Sequence, residues 1–112
     1  MTSRATLYRK PTDRDKLYVL YAEKHITPEI LAHPDLFPHD KLIYGVVAQF
    51  IDTHGRTVFD DDLELIKKSF DIHPRRVDQS VIRLARLGLL IVQVRDGART
   101  IWTDKAWIKE HV

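Results

Sequence analysis

Cysteine is absent from the 112 residues, which excludes a disulfide framework and any thiolate zinc site and is consistent with a reducing compartment. Glycine occurs four times, and its placement forms neither a phosphate-cradling loop nor a nucleophile elbow. Long apolar runs are also missing. None approaches the roughly 20 residues of a membrane span, and Met1-Thr-Ser-Arg-Ala lacks the apolar core of a secretory signal. These absences lead us to expect a cytoplasmic protein with no membrane partner, folded by packing alone. An apolar content of 44% in a chain of this length suits one modest core.

Acidic and basic residues nearly balance, for a net charge of +2, but they are not mixed evenly. From Pro74 to Arg99 the cations are all arginine (75, 76, 83, 86, 95 and 99), against Asp78 and Asp96 alone. The preceding stretch is acidic, with Asp52, Asp60, Asp61, Asp62, Glu64 and Asp71. Such asymmetry marks a surface for an anionic partner more clearly than the total charge does.

Residues 1–16 carry Arg4, Arg9, Lys10, Arg14 and Lys16 without an apolar period, and read as a flexible basic arm ahead of one domain at 17–112. Leu17 to Tyr21 is β-prone. Thr27 with Pro28 reads as the cap and first turn of a short helix that Pro34 ends. Leu42, Ile43, Val46, Val47, Phe50 and Ile51 recur at spacings of three and four, predicting a helix over 38–54 with Gly55 as its stop. Arg56 to Phe59 reads as a brief strand. Asp60 or Asp61 would then cap a helix burying Leu63, Ile66 and Phe70, with Asp61 and Glu64 at capping-box spacing. After a turn at 71–73, a helix opens at Pro74 and runs to Leu87, where Gly88 can end it. Its inward stripe is Val77, Val81 and Leu84. Its outward face holds Arg75, Gln79, Ile82, Arg83 and Arg86. Two β-prone runs then flank Asp96-Gly97, the chemistry of a two-residue hairpin turn. A terminal helix over 104–111 carries Trp107 and Ile108.

The order helix, strand, helix, turn, helix, hairpin suits the major groove of duplex DNA, which admits one helix while a hairpin beside it follows the backbone. The candidate binding residues are Arg75, Arg76, Gln79, Arg83, Arg86, Arg95 and Arg99. Arg75, Gln79 and Arg83 are placed for base edges, where arginine forks onto guanine and glutamine onto adenine. The others are placed for phosphates, where cations give affinity and salt sensitivity.

Through Ile72-His-Pro-Arg-Arg-Val77, Leu84-Ala-Arg-Leu-Gly-Leu-Leu90 and Val94-Arg-Asp-Gly-Ala98, the chain resembles the winged helix-turn-helix superfamily. Ile30 to Leu36, Asp40 to Gly45 and Asp52 to Val58 look more narrowly like the N-terminal DNA-binding domain of plasmid and phage replication initiators. The resemblance spans roughly residues 18–103. It implies an α+β fold, mainly α, with a three-helix core and a β-hairpin wing. It also implies a homodimer on repeated or palindromic duplex sites, serving replication, segregation, transfer or transcriptional regulation of a mobile element. The chain departs from that pattern at Phe37 and His73, where capping hydroxyls are common, at Lys67, where a small residue packs, and at Asp71, where a turn glycine is frequent.

Other readings belong beside this one. An arginine-rich helix face can be a solvated surface, and a winged scaffold can serve as a protein-interaction adaptor, which the acidic segment and the outward Ile82 would suit. Asp60 to Asp62 could be imagined as a magnesium site, but acids at a helix start satisfy backbone N–H groups without a metal. The six histidines show no ligand spacing. No catalytic, metal or cofactor residues and no small-molecule substrate are therefore expected. Trp102 and Trp107 are expected to close the core beneath the hairpin or to meet a second subunit.

Overall fold

A computed structural model describes residues 21–69 and 73–112. The basic arm at 1–16, the β-prone run up to residue 20, Phe70 and most of the 71–73 turn lie outside the described residues. Within them the chain is α+β and mainly helical, with five α-helices and a three-stranded antiparallel sheet. A 3-10 turn, Ala22–His25, leads to α1 (Pro28–Leu31) and α2 (Pro38–His54). Next come β1 (Val58–Phe59), α3 (Asp60–Ser69), α4 (Pro74–Arg86), β2 (Leu90–Arg95), β3 (Ala98–Thr103) and α5 (Asp104–His111).

Local chemistry sets these boundaries. The Thr27 side chain accepts the Ile30 N–H and Pro28 opens α1, as the sequence predicts. Gly55 and Gly88 take φ of +65° and +75° and end α2 and α4. At the hairpin tip Asp96 and Gly97 both have positive φ, +51° and +77°, the pattern of a type I′ turn matched to strand twist. The turn sets β2 against β3 from Leu90↔Thr103 to Arg95↔Ala98. β1 adds to the other edge of β3, with Val58 opposite Ile101, and Thr57 donates its hydroxyl to the Ile101 carbonyl at 2.8 Å.

The start of α3 differs from the expectation of an Asp61–Glu64 box. Pairing with β3 holds Phe59 extended, so Phe59 becomes the residue before the helix, and Asp62 accepts its N–H at 2.9 Å. The carboxylate that closes the turn therefore lies three residues past Phe59, and Asp61 is exposed.

One core joins all layers. Ile43, Val46, Val47 and Phe50 of α2 meet Leu63 and Ile66 of α3, Val77, Val81 and Leu84 of α4, and Val58, Leu90 and Ile101 of the sheet. Gly45 allows the 3-10 turn to lie against α2, because a Cβ there would stand 2.5 Å from the Ala22 carbonyl oxygen. No helix among the described residues is long and apolar enough to cross a membrane.

Candidate nucleic-acid interface

α4 begins at Pro74, and the imidazole Nδ1 of His73 accepts the Arg75 N–H at 3.1 Å. Histidine thus fills the capping position that the sequence left without a hydroxyl. From there Val77, Ser80, Val81 and Leu84 turn inward and are buried. Arg75, Gln79, Ile82 and Arg86 follow one another at spacings of four, three and four, and all four are exposed. At about 3.6 residues per turn they fall within roughly 60° of arc and form a single row along the helix.

The flanks of that row are tied to neighbouring helices. On one side Arg83, expected among the base-facing residues, is drawn onto Asp40 of α2, with Nη1 2.8 Å from both carboxylate oxygens. Asp40 is fully buried and also accepts the Ser80 hydroxyl at 2.6 Å and the Phe37 N–H at 2.9 Å. The Arg83 guanidinium lies 4.6 Å from the centre of the Phe37 ring, and His39 Nε2 stands 3.6 Å from the carboxylate. Burial alone would push the Asp40 carboxyl up. The hydrogen bonds from Ser80, Phe37 and Arg83, with the Arg83 charge, outweigh it and hold the group below its ordinary range. On the other side Lys67 of α3 reaches Asp78 of α4 at 2.9 Å and Glu64 at 3.0 Å. Its long side chain is mostly covered and, in place of a small packing residue, joins α3 to α4 by charge.

The hairpin arginines also divide. Arg99 donates through Nε to Asp60 at 2.8 Å, and that hydrogen bond draws the Asp60 carboxyl down. Arg95, beside the turn, is exposed. Among the described residues Arg75, Arg76, Arg86 and Arg95 make no ion pair, so four of the six arginines between 74 and 99 present uncompensated charge. Asp62 is engaged by Arg56 at 2.6 Å, and among the described residues no group of three or more ligating side chains gathers for a metal.

Sequence reasoning missed Asp40. Its place three residues past Phe37, before an apolar helical run, was a signal that it faces back to the start of α2. Nothing local pointed to Arg83, 43 residues away. Trp102 of β3 and Trp107 of α5 meet edge-to-face at 6.4 Å, and His111 stacks on Trp107 at 3.6 Å. A cleft of about 520 Å³ between α2 and α5 includes Lys24, Tyr44, Asp52 and Trp102 in its lining. Along it Tyr44 donates to Asp104 at 2.8 Å and Lys24 faces Asp52 at 3.6 Å. Burial and the Asp104 carboxylate push the Tyr44 hydroxyl pKa up, so it stays protonated.

The fold and this surface define an α+β protein with a braced helix that presents a polar, arginine-bearing row. Compared with known proteins, the chain matches no family model, no curated protein and no solved structure.

Proposed function

We propose that this protein is a winged helix-turn-helix module that binds duplex DNA by sequence, with α4 in the major groove and the β2–β3 hairpin as its wing. The observation that carries this reading is the exposed row Arg75, Gln79, Ile82, Arg86 on a helix fixed at both flanks by ion pairs. Flexible arginines on a loose element would offer charge only. A row held at a fixed angle by Asp40–Arg83 and Lys67–Asp78 offers register as well, which base readout requires.

Arg75 and Gln79 lie in the first turns of α4 and take the base edges. Arg76, Arg86, Arg95 and Arg99 take phosphates, Arg99 by leaving or sharing Asp60. Arg83 does not read bases in this scheme, because Asp40 holds it as the brace. With the motifs that resemble replication initiators, this supports a cytoplasmic, nucleoid- or plasmid-associated protein acting as a homodimer on repeated or palindromic half-sites. The process served would be replication, segregation, transfer or transcription of a mobile element.

Selection of bound sequences from a random duplex pool tests this. The expected result is an enriched site whose half-site spacing follows the helical repeat of about 10.5 base pairs. Arg75→Ala should then weaken binding to that site by about 5- to 150-fold, the range of one bidentate base contact. A pool without enrichment would refute the proposal, and a specific protein complex in its place would favour the adaptor reading.

A further inference from the structure

Resting on the reading of α4 as a major-groove helix, we infer that Ile82 is a specificity-determining residue that contacts the C5-methyl group of a thymine. That thymine lies one or two base pairs beyond the base met by Gln79.

Ile82 is 51% exposed although it is branched and apolar. It sits inside the polar row, not at its margin. Its neighbours three and four residues away on α4 are Asp78, Gln79, Ala85 and Arg86, so among these positions of the helix Ala85 is the single apolar one. A protein-docking patch needs a contiguous apolar area, and one isoleucine ringed by charged and amide groups does not provide it. Readout of a thymine needs no patch. The major-groove edge of thymine offers one acceptor and one methyl group, and a single aliphatic side chain of the right height meets the methyl.

The spacing fixes the register. Three residues along α4 from Gln79 to Ile82 advance about 4.5 Å, against about 3.4 Å per base-pair step. A helix lying along the groove therefore carries Ile82 one or two steps past the base pair of Gln79. Arg83, at the next position, cannot compete for this place, because both of its contacts to Asp40 are 2.8 Å long and turn it toward α2. The same brace keeps the neighbouring arginine from covering the methyl contact.

The test uses the selected duplex and the full chain, replacing each thymine in turn by deoxyuridine, which removes the methyl and leaves pairing intact. One position should lose about fourfold in affinity, the worth of one buried methyl group. It should lie within two base pairs of the position at which Gln79→Ala abolishes base preference. In Ile82→Ala the same deoxyuridine should cost nothing, so that protein and base changes are non-additive. Thermal melting of Ile82→Ala should match the parent, because the side chain is half exposed. If every deoxyuridine is neutral, or if the loss persists in Ile82→Ala, the inference is overturned while DNA binding stands. If no duplex is bound at all, both readings fail.

Discussion

Arg83 and Arg86 lie three residues apart on α4, yet their surroundings differ in kind. Arg83 donates to a fully buried carboxylate on α2 and lies over the Phe37 ring, two-thirds covered. Arg86 is exposed and makes no ion pair among the described residues. The difference comes from what the neighbouring helix supplies. α2 starts after Phe37, and its first turn needs an acceptor for the Phe37 N–H. Asp40 meets that need from inside the domain, where its charge must be answered. Ser80 and Arg83 answer it. Among the described residues no carboxylate reaches Arg86, so its charge remains available to an outside anion.

The largest effect should come from breaking the buried side of this comparison. Asp40→Ala leaves Ser80 and Arg83 without their acceptor and frees the Phe37 N–H. It should lower unfolding free energy by about 3–5 kcal/mol, read from urea denaturation. If the loss is below about 1 kcal/mol, the junction is not the brace described above.

Acid should act on the same residue. Because the folded carboxyl titrates below its ordinary range, it stabilises the fold fully above its unfolded pKa of about 3.9. That contribution fades as pH falls through the lower folded value. Thermal midpoints should therefore drop below about pH 4, and Asp40→Asn should flatten part of that acid limb. Asp60 and Asp62 are also lowered, so some slope should persist.

The smallest stability effect belongs to an exposed pair. Asp60→Asn should cost less than about 1 kcal/mol, because solvent screens the Arg99 contact. In the proposed DNA complex it should strengthen binding slightly by releasing Arg99 to phosphate, which a filter-binding titration would detect.

Much of the frame was legible because its rules act over a few residues. Apolar spacing placed α2 and α4, Pro28 and Pro74 marked helix starts, and Asp96-Gly97 defined the hairpin with its φ signs. What escaped depended on residues brought together by tertiary packing. Asp40 and Arg83 are 43 positions apart, and Asp60 and Arg99 are 39, so no local pattern could divide the arginines into braces and free cations. Even the start of α3 moved, from an Asp61–Glu64 box to Asp62 on Phe59, because β1 pairing with β3 decides where the strand ends. The exposed row was read nearly whole. Its one loss was Arg83.

The most direct measurement is the salt dependence of binding to the selected duplex for the parent and for Arg75→Ala combined with Arg86→Ala. The slope of log affinity against log salt should become shallower by about one for each phosphate contact removed, and affinity should fall at every salt concentration while thermal melting is unchanged. An unaltered slope and affinity in a folded double variant would contradict the assignment of α4 as the DNA-binding face.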